Sequence, residues 1–89
     1  MARLGMDVDE VRNVASNLHS QSGELNTLIS KIESLVNKAV GVWDGPDSRR
    51  FHEDWASKHR PALQRLSQEI EQLSSVARTN AAEQENVSR

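Results

Sequence analysis

Histidine and carboxylate side chains are the residues of this chain that could perform acid–base chemistry or hold a metal ion. The three histidines are His19, His52 and His59, and none has the spacing of a metal-ligand pair. The stretch HEDWA, residues 52 to 56, begins like the helix motif of zinc proteases, but Ala56 stands where the second histidine is needed. We therefore interpret the histidines as surface residues and expect no metal site.

Other catalytic patterns were sought in the same way. Glu53 and Asp54 are adjacent, so on a helix their carboxylates point in different directions. No serine lies in a Gly-x-Ser-x-Gly turn, and no glycine-rich loop precedes a lysine as in a phosphate-binding loop. We expect neither an enzyme nor a bound cofactor.

The stretch VGVWDGPDS, residues 40 to 48, is the part of the chain that this inventory leaves unexplained. Its two glycines, one proline and two aspartates are typical of turns and helix boundaries, yet Trp43 stands among them. A large ring in a turn is either buried at the end of a core or displayed to a partner. Together with Gly45 it forms a Trp-x-Gly tripeptide, which alone is a weak motif.

Length and composition restrict the class of protein. The chain has 89 residues, which predicts one small domain, residues 1–89, and it has no cysteine for disulfides or thiolate metal sites. A net charge of −2 gives no reason to expect nucleic-acid binding, and no stretch approaches the roughly 20 apolar residues of a membrane span. The opening MARLGMDVDE lacks the apolar region of a cleavable signal peptide. Membrane contact is not expected either.

Two long amphipathic helices are predicted to position the turn, which covers about residues 41–46. The first covers about residues 8–40, because apolar and small residues recur there at alternating steps of three and four. Asp7 and Glu10 form a capping-box pattern at its start, and Gly41 marks its end. The seam consists of Val8, Val11, Ala15, Leu18, Ser22, Leu25, Ile29, Ile32, Val36 and Ala39.

The second helix is predicted to cover about residues 47–80, with its start within Asp44 to Pro46. Pro61 cannot donate a hydrogen bond to the Ser57 carbonyl, so we expect a bend or a local break there. The last residues, 81–89, are expected to form a flexible tail. The apolar face of this helix consists of Phe51, Trp55, Ala62 or Leu63, Leu66, Ile70, Leu73 and Ala77.

An all-α antiparallel hairpin of this kind leaves much of its apolar surface uncovered. Val14, Leu28 and Leu35 widen the stripe of the first helix, which predicts contact with more than one neighbouring helix. We therefore expect two hairpins to associate into a four-helix bundle. The residues expected to pack the hairpin and the dimer are Val11, Leu18, Leu25, Ile29, Ile32, Val36, Phe51, Trp55, Leu66, Ile70 and Leu73.

In this context the turn motif resembles the Trp-x-Gly family of small proteins, also called the early secretory antigenic target or Esx-type family. The likeness rests on Trp43 and Gly45 in the turn and on Ser48, Phe51 and Trp55 in the following helix, and the spacing continues at Leu66, Leu73 and Ala77. It covers essentially the whole chain.

The resemblance implies a protein exported by a type VII secretion system of actinobacteria or related Gram-positive bacteria. Family members are helical hairpins that pair as homodimers or heterodimers, and they leave the cytosol folded and without a cleaved signal. The turn of one subunit and the C-terminal tail of its partner form a composite signal for the secretion ATPase. Trp43 and Gly45 are thereby implied to be recognition residues.

One part of the family pattern is absent, because the tail of a member normally carries a tyrosine followed four residues later by an acidic residue. This chain has no tyrosine, and Thr79 and Ala81 stand four residues before Glu83 and Glu85. Either a heterodimeric partner supplies the tyrosine, or the chain forms a homodimer with a variant signal or is not exported independently.

Three functional hypotheses follow. The first is a secreted substrate or co-substrate that acts as a dimeric helical adaptor, with a virulence or effector-type role. The second is a cytosolic chaperone or targeting factor for a larger effector. The third is a plain coiled-coil scaffold in which Trp43 only caps the core.

Overall fold

The fold is all-α, and a computed structural model describes residues 5–88 as a helical hairpin. Helix α1 is Val8–Gly41 and helix α2 is Pro46–Asp54; a π-helical turn, Trp55–His59, then leads into helix α3, Arg60–Ser88. The described residues group into two compact units. The first joins the described residues up to Ser22 with those from Gln68 onward, and the second is Gly23–Ser67.

Helix α1 begins where its capping residue predicts. The carboxylate of Asp7 accepts a hydrogen bond from the backbone amide of Glu10 at 3.1 Å, and this bond satisfies one of the amides that have no partner within the helix. The predicted seam is confirmed, since its most buried members are seven residues apart: Ala15, Ser22, Ile29 and Val36.

The first unit is packed through small residues. Ala15 on α1 and Ser74 and Ala81 on α3 are fully buried, and the Ser74 hydroxyl donates to the Ala15 carbonyl at 2.7 Å. Small side chains allow two helix backbones to approach closely, which brings a hydroxyl within reach of a main-chain oxygen on the facing helix. The close contact explains why this unit needs no large apolar side chain at these positions.

Helix α3 also corrects the expected flexible tail at residues 81–89. The helix continues to Ser88, while Arg89 lies outside the described residues. Ala81 is fully buried, and Glu85 accepts an ion-paired hydrogen bond from Arg12 at 2.7 Å. The fading of large apolar residues after Asn80 was misleading, because an alanine and an ion pair suffice to hold this end of the helix.

The second unit contains the larger apolar core. Ile29 and Val36 on α1 pack with Trp55 of the π-helical turn, and all three are at most 6% exposed. The partly buried residues packed against this cluster are Leu25, Ile32 and Leu63.

The interruption predicted near Pro61 is confirmed, and it takes the form of a widened helical turn. The amide of Arg60 bonds to the Trp55 carbonyl, five residues back instead of four. Trp55 and Ser67 are separated by twelve residues, one more than the roughly eleven in three α-helical turns. The wide turn absorbs this extra residue, so both side chains are buried.

Candidate recognition site at the interhelical turn

The turn between α1 and α2 depends on a backbone conformation that favours glycine. Gly45 has φ 115° and ψ 177°, a region that residues with a Cβ rarely adopt. Pro46 is the first residue of α2, as predicted, and the Gly45 carbonyl accepts from the Arg49 amide at 3.3 Å. The glycine of the Trp-x-Gly motif thus has a direct structural task.

Trp43 lies on the surface of this turn. It is 41% exposed, and its ring packs against that of Phe51 with centroids 5.4 Å apart and planes tilted by 52°. A tilted pair at this distance is a favourable aromatic contact. Phe51 is itself 43% exposed, so the pair forms a firm apolar surface that remains accessible.

An open groove of about 580 Å³ lies beside Trp43. Its polar walls carry both signs of charge, from Asp44 and Glu53 on one hand and from Arg49 on the other, together with His52. The full lining consists of Val40, Trp43, Asp44, Gly45, Ser48, Arg49, His52 and Glu53. A ring, two helix ends and mixed charges are suited to holding a peptide or helix segment of another protein.

A polar cluster below the turn was not anticipated from the sequence. The Trp55 indole N–H donates to the Glu33 carboxylate, and Arg60 donates to both oxygens of that carboxylate at 2.9 Å. These hydrogen bonds, first that of Trp55 and then those of Arg60, lower the pKa of Glu33 below its ordinary value of 4.5. The only available signal was an acidic residue directly after Ile32 in the apolar seam.

The residues predicted to pack the hairpin and the dimer fall into three groups. Ile29, Val36 and Trp55 are buried. The half-buried members are Val11, Leu18, Leu25, Ile32 and Ile70, and the exposed members are Phe51, Leu66 and Leu73. The exposed group contributes little to packing within the chain, and its role in a dimer stays a prediction.

The histidines lie at three separate places. His19 shares a proton with, or donates through Nδ1 to, the Glu71 carboxylate at 2.8 Å, His52 lines the groove, and His59 ends the π-helical turn. Among residues 5–88 no group of three or more histidine, aspartate and glutamate side chains is placed to hold a metal ion. In the same described range, no helix is long and apolar enough to cross a membrane.

Comparison with protein families gives one finding that covers nearly the whole chain. The model of the WXG100 family, described as proteins of 100 residues with WXG, matches residues 3–87. No curated protein and no solved structure matches the chain. The family comprises the small helical proteins of type VII secretion, and its members are secreted. With Trp43 and Gly45 at the turn of a helical hairpin, the chain belongs to the WXG100 family.

Proposed function

We propose that this protein is a substrate or co-substrate of a type VII secretion system and acts as a dimeric helical adaptor. It reaches the outside from the cytoplasm without a cleavable signal peptide, and its turn contributes to recognition by the secretion ATPase. The observation that carries the proposal is the half-exposed Trp43 beside the groove, in a chain that belongs to a secreted family.

The turn supports this role because its surface is both firm and accessible. Gly45 and Pro46 determine the backbone, and Phe51 holds the Trp43 ring from one side. A rigid aromatic residue next to a groove loses little conformational freedom when a partner binds, which is why such residues often dominate binding energy. The other face of the ring remains open to the ATPase.

The adaptor role is supported by apolar surface that one chain leaves uncovered. In the second unit Leu28 and Leu35 on α1 are 50% and 65% exposed. In the first unit Val14, Leu73 and Val76 are 45%, 58% and 57% exposed. Such surface is costly to leave in water, and a second hairpin, identical or paralogous, would cover it in a four-helix bundle.

The C-terminal helix bears on the missing tyrosine. Ala81, one of the residues at the position where an aromatic would precede an acid by four, is fully buried, and its Glu85 pairs with Arg12. A tyrosine at position 81 would not fit such a site. This supports a composite signal in which the tyrosine comes from another chain or a different feature replaces it.

Export of a Trp43→Ala variant tests the proposal, with Val42→Ala as the matched control. Val42 is the neighbouring turn residue and is 86% exposed, so its truncation changes little of the fold. We expect Trp43→Ala to stay helical but to lose secretion into the medium and binding to the purified ATPase. Val42→Ala should be exported normally.

Two results would contradict the proposal. Export of Trp43→Ala at the level of the unmodified protein would remove the turn from recognition. Retention of the unmodified protein in the cytosol of a strain with an active system would instead favour the chaperone hypothesis. That hypothesis requires copurification with a larger effector and loss of the effector when the chain is deleted.

A further inference from the structure

We propose that the partner of this chain is a second copy of itself, docked through two exposed stripes of equal spacing and opposite charge. The inference rests on the dimer of the proposed function and goes further by choosing self-association over a heterodimer. The α1 stripe consists of Leu28, Lys31, Leu35 and Lys38, and the α3 stripe consists of Leu66, Glu69, Leu73 and Val76.

The α1 stripe follows one side of its helix in the second unit. Leu28 and Leu35 each stand one residue before a buried residue, Ile29 and Val36, and so lie about 100° around the helix from the core. The two lysines of the stripe are exposed, three residues after each leucine and one turn along the same side. The side therefore presents an apolar line with a positive border.

The α3 stripe has the same relation to its own helix. Leu66 and Leu73 are 45% and 58% exposed, and each stands one residue before a buried serine, Ser67 or Ser74. Glu69 is exposed three residues after Leu66. This side therefore presents an apolar line whose border is negative.

The spacing of the two stripes is identical. Each has its four members at steps of three, four and three residues. When the stripes lie side by side in the same direction, Leu28 meets Leu66, Lys31 meets Glu69 and Leu35 meets Leu73. The fourth pair sets the aliphatic stem of a lysine along a valine, with its charge free to reach water.

A two-fold axis perpendicular to the helices produces this alignment. It reverses the second hairpin, so that its α3 runs parallel to α1 of the first, and it creates each contact twice. Docking α1 on α1 would place the lysine border against another lysine border, and docking α3 on α3 would oppose two glutamates. The charges thus favour the contact between α1 and the α3 of a second copy.

The opposite edge of α1 is closed by ion pairs within the chain. In the first unit Arg12 pairs with Glu85, and in the second unit Glu33 pairs with Arg60 at 2.9 Å. These α1 residues stand three positions before a buried residue, which places them on the other side of the core from the stripe. One edge is already satisfied, and the edge that carries the stripe is the one that a partner would cover.

Charge reversal at one pair, Lys31 and Glu69, tests the inference on the purified full-length chain. Lys31→Glu and Glu69→Lys each place two like-charged pairs in a homodimer, so we expect either variant alone to dimerise about tenfold to a hundredfold more weakly. Mixed one to one, the two variants should form a dimer as tight as the unmodified one, because both contacts again pair opposite charges. The double variant in one chain should recover in the same way.

Arg65→Glu is the matched control, because it makes the same change of charge as Lys31→Glu on an exposed residue outside both stripes. Its dimer should be as tight as that of the unmodified chain. Dimerisation is measured by light scattering and dilution, and circular dichroism checks that each variant remains helical.

Two outcomes would overturn self-association through these stripes. One is dimerisation of both single variants with unchanged affinity. The other is an unmodified chain that stays monomeric and pairs only with a different hairpin protein. Neither outcome touches the export of the Trp43 variants, so the inference can fail while the proposed function stands.

Discussion

The indole of Trp55 donates a hydrogen bond to the carboxylate of Glu33 on the facing helix. Arg60 donates to the same carboxylate, so a single side chain of α1 holds both ends of the π-helical turn. Trp55 is only 6% exposed, and its one polar atom is thereby satisfied inside the core. The contact ties the helix after the Trp-x-Gly turn to α1.

Truncation of Glu33 should destabilise the hairpin. Glu33→Ala leaves the buried indole N–H without an acceptor and Arg60 without its counter-charge, so the melting temperature should fall. Glu24→Ala is the control, because Glu24 is an exposed glutamate of the same helix. Thermal unfolding followed by circular dichroism compares the two variants, and equal melting temperatures would mean that the Glu33 contacts contribute nothing.

Stability should also depend on pH through the same carboxylate. Because the pKa of Glu33 is lower in the folded chain than its ordinary value of 4.5, the unfolded state binds the proton more readily. The stabilisation is complete above about pH 4.5 and is lost as the pH falls through the folded pKa. Urea unfolding between pH 3 and pH 7 should show a shallower acid loss for Glu33→Gln than for the unmodified chain. Parallel curves would contradict this assignment.

The two tryptophans should respond differently to truncation. Trp55→Ala removes a buried ring and should cost about 3–5 kcal/mol of unfolding free energy. Trp43→Ala removes a half-exposed ring whose described partner ring is Phe51, and should cost only about 0.5–1.5 kcal/mol. Urea titrations measure both values. A loss at Trp43 as large as that at Trp55 would favour the scaffold hypothesis, in which Trp43 is part of the core.

Glycine substitutions should separate a turn requirement from ordinary helix propensity. At Gly45 the positive φ makes Gly45→Ala strained, with an expected cost of about 1–3 kcal/mol. Gly23 lies within α1, and a Cβ there would meet no atom within 4 Å. Gly23→Ala should therefore stabilise the chain by about 0.5–1 kcal/mol. Chemical denaturation of the pair gives the test, and a stable Gly45→Ala would show that the turn can relax.

Replacement of Pro61 tests what holds the π-helical turn. An ordinary helix gains about 3 kcal/mol or more when an interior proline is replaced. Here Pro61→Ala should gain less than about 1 kcal/mol, since Trp55 and Ser67 can stay buried only if the wide turn persists. Unfolding free energies of the variant and the unmodified chain provide the comparison. A gain near 3 kcal/mol would mean that the proline alone causes the wide turn.

Much of the hairpin was predictable because its signals are local or periodic. The cap at Asp7, the proline at the start of α2 and the interruption near Pro61 follow from backbone chemistry that a short stretch of sequence contains. The seam through Ile29 and Val36 follows from heptad spacing. The end of α3 could not be predicted in this way, because Ala81 and Glu85 are held by partners on the facing helix.

The sequence by itself determined the all-α hairpin, the turn motif and the family, since these depend on residue type and spacing along one chain. Only the tertiary structure decided which side of α3 is buried, because the extra residue in the π-helical turn rotates Ser67 inward and leaves Leu66 exposed. It also decided that Glu33 serves Trp55 and Arg60, for a charged side chain finds its partners across space and not along the sequence.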